Sequence, residues 1–263
     1  KKFMKKYLSL FIKISDNNLE KILNIEKSLA EESYTNIEKR DPNNIDNPTT
    51  FNNLKSNFNY LFLNKIEDLM KKFGIQNFKG LKINITNPKY IQKFEKIVND
   101  IDIDTLKNYF IWLLLLNVGS YLSEEVVNVK FDFYGKVLSG AENIEERKER
   151  VIDLTSFFFG DIISKIYVEK LFPEKSKLRA IELVNNIFKE FKSRLENNEW
   201  MTEKTKSKAL EKLDMMQVKI GYPEKYKDYS PLYDIILKNN SFLENCLICR
   251  NYLVLEDFKE SYK

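Results

Sequence analysis

The sequence predicts a mainly α fold of about ten helices with one or two short strands. Three observations carry that expectation. Only 7 Gly and 6 Pro punctuate 263 residues, so turn signals are sparse. Long amphipathic runs are rich in Lys, Glu, Leu and Ile, with apolar residues returning every three or four positions. Charged residues make up 31% of the chain, and the two signs interleave, as in Glu145-Glu146-Arg147-Lys148-Glu149-Arg150. Such interleaving describes solvated helix faces stitched by i,i+3 and i,i+4 pairs.

The elements follow in order. Residues 2–14 and 17–39 read as two helices, with Asp16 as an N-cap and Leu19, Ile22, Leu23, Ile25 and Leu29 as an apolar stripe. Residues 40–48 carry enough breakers to be a loop. Thr49 or Thr50 then caps a helix that buries Phe51, Leu54 and Phe58, and a further helix over about 60–73 stops at Gly74. Residues 81–86 alternate apolar and polar, the period of a half-buried strand. Asn87-Pro88 opens a helix over about 88–99, and Asp104 caps an apolar helix over 105–122. The run Phe110-Ile111-Trp112-Leu113-Leu114-Leu115-Leu116 is far short of the ~20 residues that span a bilayer, so it reads as a buried helix. Ser123-Glu124-Glu125 restarts a helix that ends near Ser139-Gly140. Residues 143–171 form a long helix whose apolar face is Val151, Leu154, Phe157, Phe158, Ile162 and Ile166. Phe172-Pro173 breaks it, and Pro173 suits the first turn of the next helix, over 173–198. Thr202 and Glu203 open another helix that turns Ala209, Leu210 and Leu213 inward. Residues 216–220 read as a short strand closed by Gly221-Tyr222-Pro223, and a last helix covers about 241–257.

Composition excludes several kinds of chemistry. Forty-three basic against 39 acidic residues leave a net charge of +4, without the one-sided basic concentration of a nucleic-acid binder. Histidine is absent, so the chain holds no His-based triad, no imidazole general base and no imidazole metal ligand. Neither G-x-G-x-x-G nor G-x-x-x-x-G-K-S/T occurs. Paired carboxylates abound, but in so charged a chain their pairing is uninformative. The two cysteines form a lone C-x-x-C, Cys246-Leu247-Ile248-Cys249, which cannot complete a tetrahedral zinc site. The pair lies inside an apolar helical run and reads as two core-facing thiols. So few cysteines argue against a disulfide-rich ectodomain and fit a cytoplasmic or bacterial-type extracytoplasmic setting. The aromatic runs Phe157-Phe158-Phe159 and Tyr109-Phe110 lie on apolar helices and read as core rather than as a base-stacking platform.

The stretch WMTEKTKSKALEKLDMMQVKIGYPEKYKDYS, residues 200–230, resembles a segment of the neprilysin / endothelin-converting-enzyme family of zinc metallopeptidases, which includes bacterial oligopeptidase O. Three further segments are similar to the family's in the same order: residues 26–42 with 47–54, residues 131–140 (FDFYGKVLSG) and residues 166–173 (IYVEKLFP). The likeness covers roughly residues 15–258. Its fingerprint residues are Arg40, Asp41, Pro42, Phe131, Tyr134, Gly140, Tyr167, Trp200, Met201, Gly221, Tyr222 and Pro223, and they are expected to be structural.

The resemblance implies two α-rich lobes around a closed cavity. One lobe holds zinc through a His-Glu-x-x-His helix and a downstream Glu; the other caps the cavity and limits substrates to peptides. With no histidine, no catalytic or metal-binding residue of the family transfers to this chain. Residues 1–263 are therefore expected to be the cap lobe, incomplete at both ends and beginning at Lys1, with the zinc domain outside the chain. The expected cofactor of that outside domain is zinc, and this chain is expected to need none. The expected partners are the catalytic lobe, of the same protein or a separate polypeptide, and peptide substrates. No nucleic-acid partner and no membrane span are expected. The alternative is a stand-alone, non-catalytic helical module that binds peptides or a protein partner.

Overall fold

The stripe Leu19, Ile22, Ile25 and Leu29 puts one face of a helix out of water, and the first core forms on it. The computed structural model describes residues 1–57, 61–72, 80–236 and 240–260. Among them are thirteen α-helices and one two-stranded sheet, the mainly α fold that composition predicts. The chain divides into two units, Lys1–Ile144 with Asn240–Lys263, and Glu145–Asn239.

In the first unit, α1 (Lys2–Leu8), α2 (Asp16–Glu31), α7 (Ile103–Val118) and α8 (Glu124–Phe131) enclose Tyr7, Leu8, Leu19, Ile22, Trp112 and Val126. α6 (Pro88–Asp100) adds Tyr90, Phe94 and Ile97 from the side. Tyr7 is fully buried, its hydroxyl donates to the Leu115 carbonyl oxygen at 2.8 Å, and burial pushes its pKa up to about 12. A second cluster gathers Phe51 and Leu54 of α4 (Phe51–Asn57) with Leu63 and Met70 of α5 (Leu61–Lys72). Phe258, near the end of α13 (Phe242–Glu260), packs against that cluster.

Most helix starts differ from the sequence reading by a residue or two, and the long helix expected from residue 143 opens at Arg147. Ser15, not Asp16, caps α2, its hydroxyl accepting from the Asn18 amide at 3.2 Å, while Asp16 sits in the first turn and pairs with Lys5. Asp102, not Asp104, caps α7, accepting from the amide and the hydroxyl of Thr105 at 2.9 Å each and from Lys21 at 2.8 Å. Each time two polar residues precede the apolar run, and the one whose backbone is still extended takes the cap. Asn87 and Thr202 cap α6 and α11 (Glu203–Asp214) where the sequence places them.

The expected loop over residues 40–48 is more ordered than its breakers suggest. A 3-10 turn over Glu38–Arg40 leads into α3 (Pro42–Ile45), with Asp41 as its cap and Pro42 in its first turn. Then β1 (Pro48–Thr50) pairs antiparallel with β2 (Lys82–Asn84), in the register Thr49 opposite Ile83. The Asn84 side chain locks the pair, accepting from the Asn47 amide at 2.6 Å and donating to the Ile45 carbonyl oxygen at 2.8 Å. Thr50 caps α4 by accepting from the Asn53 amide. Phe58 and Gly74 lie outside the described residues.

The apolar run on α7 is only half buried. Trp112 and Leu115 face the core, while Phe110 and Leu114 are exposed. No single described helix is long and apolar enough to cross a membrane. One pair, Ile103–Tyr121 with Glu124–Leu138, reaches that length and composition together but bends by 110°.

Several carboxylates of this unit titrate low, two of them strongly. Hydrogen bonds from Lys21 and Thr105 hold Asp102 well below its usual 3.8, and Lys55 and Lys71 bring Glu67 down from 4.5 to about 2. Their folded-state values lie below the unfolded ones, so the unfolded chain binds more protons in acid. The stabilisation they give is complete above about pH 5 and fades as pH falls toward about 2. Urea midpoints measured across that window should fall with pH, and Asp102→Asn should shallow the slope. A midpoint that stays level down to pH 2 would rule out both pairings.

The second unit has less interior. α9 (Arg147–Leu171) is kinked at Phe159, whose φ of −122° and ψ of 28° leave the helical region beside Gly160. α10 (Glu174–Glu196), α11 and α12 (Ser230–Ile236) follow. Pro173 takes the N-cap position of α10 rather than its first turn. The enclosed side chains among the described residues of this unit are Phe158, Leu195, Leu213, Tyr229 and Leu232. The Asp161 carboxylate accepts from the Lys227 amide at 2.9 Å and ties the segment before α12 to α9. Residues 216–220 do not form the expected strand; they run without helix, turn or bend and pair with no described strand.

Candidate functional site

The apolar face foreseen on α9 is mostly uncovered. Of its six residues Phe158 alone is buried; Leu154 and Ile162 are half-buried, and Val151, Phe157 and Ile166 are exposed. The reason is an arithmetic of faces: two long helices and two short ones cannot cover both sides of each other. α10 shows the same shortage. Ile181, Val184, Phe188 and Leu195 form its inner stripe. Leu183, Ile187 and Phe191, four residues apart, form a second stripe that is 62%, 59% and 50% exposed. With Asn186, Glu190 and Arg194 they line an apolar depression of ≈ 450 Å³. Contiguous exposed apolar surface of this kind marks an interaction face.

The Gly-Tyr-Pro joint is built on the start of α10. Gly221 has a φ of 75°, and a Cβ there would sit 3.0 Å from Phe172 Cε1. Both facts reserve the position for glycine. The Tyr222 ring meets Phe172 edge-on at 6.0 Å. Lys177 Nζ lies 4.0 Å from the Tyr222 ring centroid and donates to the Tyr222 carbonyl oxygen at 2.8 Å. This cation–π contact and hydrogen bond clamp the joint to α10. A cleft of ≈ 680 Å³ runs beside it, between Lys177, Ile181 and Asn185 of α10 and the stretch 218–224.

Trp200 and Met201 sit in the turn between α10 and α11. The Asn198 side-chain oxygen accepts from both their amides, at 3.1 and 3.0 Å. That leaves Trp200 78% exposed and Met201 half-buried. A solvent-facing tryptophan on a braced turn is the residue type that anchors interfaces. Tyr167, on α9, is also exposed.

The remaining fingerprint residues belong to the first unit. Asp41 and Pro42 start α3, and exposed Arg40 ends the turn before it. Phe131 carries Lys136 Nζ over its ring at 5.7 Å. Tyr134 lies in a π-helical stretch, Asp132–Leu138, edge-on to Phe3 at 5.6 Å, and Gly140 reverses the chain just beyond with a φ of 71°. Six of the twelve residues thus belong to the first unit and six to the second. Within the second unit the structure unites Gly221, Tyr222 and Pro223 with Phe172 and Lys177, which sequence reasoning missed. Asn198 and the Leu183-Ile187-Phe191 stripe were missed too, although the four-residue spacing of the stripe was there to be read.

The residues present do not fit a zinc centre. The chain has no histidine, and no group of three or more His, Cys, Asp or Glu is placed to hold a metal among the described residues. Cys246 and Cys249 are buried free thiols on α13. Burial pushes Cys246 up to about 11 and raises Cys249, so both stay protonated rather than act as thiolates.

Fold and surface together define a class: a mainly α protein with exposed apolar faces on α9 and α10. The family is more specific. Residues 1–223 match the N-terminal model of peptidase family M13, and the chain belongs to that family. It is 26% identical over 175 residues to the neutral endopeptidase of Lactococcus lactis subsp. lactis, covering 65% of this chain and 28% of that protein. To human neprilysin it is 24% identical over 248 residues, covering 92% of this chain and 32% of that one. Among solved structures, Mycobacterium tuberculosis zinc metalloprotease Zmp1 in complex with an inhibitor shares the fold, with a TM-score of 0.76 and 23% identity over 96% of this chain and 38% of that chain. PepO from Lactobacillus rhamnosis HN001 has a TM-score of 0.73 and 22% identity, covering 95% of this chain and 39% of that chain. The chain thus spans about a third of the length of these relatives.

Proposed function

We propose that residues 1–263 form the cap lobe of a neprilysin-like zinc metalloendopeptidase. The lobe walls a cavity that admits peptides and excludes folded proteins. Zinc, its ligands and the water it activates belong to a catalytic lobe outside these residues, on the same polypeptide or a separate one. The observation that most supports this is the uncovered apolar surface of α9 and α10 in a family member that spans only about a third of its relatives. The catalytic lobe is the proposed cover. The absence of histidine agrees with that division of labour, since the family's metal helix needs two.

Two readouts on the purified chain test the proposal. With excess zinc it is expected to leave a fluorogenic peptide uncut. It is also expected to bind an apolar dye and to self-associate, and Ile187→Glu with Phe191→Glu should reduce both. Zinc-dependent cleavage by the chain alone, or a monodisperse chain that binds no dye, would overturn the reading.

A further inference from the structure

We infer that residues 216–220 are an open strand edge that receives a β-strand from the catalytic lobe. This rests on the cap-lobe reading above and says where the two lobes share backbone hydrogen bonds. Three observations meet at the segment. Met216-Gln217-Val218-Lys219-Ile220 alternates apolar and polar, the signature of a strand with one covered face. Its backbone runs without helix, turn or bend. No hydrogen bond to the backbone of Gln217, Val218, Lys219 or Ile220 forms within the described residues. A sequence patterned for a ladder thus has no ladder, and its free amides and carbonyls are a template for another strand.

The surroundings make room for that strand. The cleft of ≈ 680 Å³ lies along this stretch, with Ile181 and Asn185 of α10 as its far wall. The Lys177 clamp on Tyr222 fixes the C-terminal end of the segment, and the Met216 amide, donating to the Leu213 carbonyl oxygen at 3.2 Å, fixes the other. Both ends are held while the middle is open, so the edge is already arranged for pairing.

The occupant follows from the side chains. Met216 and Val218 are 55% and 43% exposed, and neighbouring Met215 is 70% exposed. A passing peptide would leave them wet between encounters. A strand of a permanently docked lobe buries them for good, as obligate interfaces do. The structural neighbours supply the chain for it: this fold occupies 38% to 39% of their length, and the rest of their residues lie outside it.

Hydrogen exchange and proline scanning test the inference. In the isolated chain the amides of residues 217–220 are expected to exchange freely. In the assembly with the polypeptide that carries the His-Glu-x-x-His segment they should alternate, every second one protected. Neighbouring amides of a strand point to opposite sides, so Val218→Pro and Lys219→Pro should differ. One is expected to weaken assembly about tenfold, the effect of a lost ladder bond, and the other much less. Neither should change the melting of the isolated chain. Uniform exchange in the assembly, or two proline variants that assemble like the parent, would overturn the strand pairing. If those variants assemble normally while Ile187→Glu/Phe191→Glu does not, the cap-lobe reading survives without it. If the parent chain fails to assemble at all, both fall.

Discussion

Gly119→Ala should lower the unfolding free energy by about 2–4 kcal/mol, combining overpacking with a lost buried hydrogen bond. A Cβ at position 119 would lie 1.9 Å from the Tyr7 hydroxyl oxygen and 3.2 Å from the carbon that bears it. An exposed tyrosine would swing aside. Tyr7 is completely enclosed, stacked near Phe3 at 5.3 Å and hydrogen-bonded to Leu115. Its ring has nowhere to go without moving α1 off the core. The check is a urea melt, in which the midpoint should drop with the slope unchanged. A cycle with Tyr7→Phe sharpens it. Removing the hydroxyl removes the clash, so the alanine should cost less in the Tyr7→Phe background than in the parent. Equal costs in both backgrounds would show that the glycine is not there for the tyrosine.

The second large effect centres on Trp112, which is 4% exposed and packs edge-on to Phe3 at 5.8 Å and Tyr7 at 6.2 Å. Its indole N–H is buried without an acceptor among the described residues. Trp112→Ala is expected to cost about 3–5 kcal/mol through the cavity it opens. Trp112→Phe should cost far less, because it keeps a ring in place and takes away an unpaired donor. Thermal or urea unfolding of the two variants decides it. A phenylalanine variant as unstable as the alanine one would mean that the indole N–H has a partner in solution.

Much of this architecture could be read from residue order, and the misses have physical causes. The apolar period of α2 and the caps at Asn87 and Thr202 were legible because each signal is local. β2 was legible from its alternation, but its partner was not: Pro48-Thr49-Thr50 is too short to show a period and is a strand only because Asn84 clamps it there. The fate of the apolar faces on α9 and α10 was the least legible. Periodicity says that a face is apolar; it does not say whether this chain contains what covers it. The family fingerprint was readable as a pattern, yet the chemistry that keeps Gly-Tyr-Pro in place lies in Phe172 and Lys177, about fifty residues upstream.

The chain leaves the first unit at Ile144 and returns to it at Asn240. Phe51, Leu54, Leu63 and Met70, all within the first 70 residues of the sequence, are joined by Phe258 near its end. On the ribosome this early cluster must wait, part-open, while the whole second unit is made and α13 emerges. Any truncation at residue 223, where the family match stops, removes that closing helix and strands the cluster in an unfinished state. The boundary drawn by homology falls before the last helix that packs on this cluster.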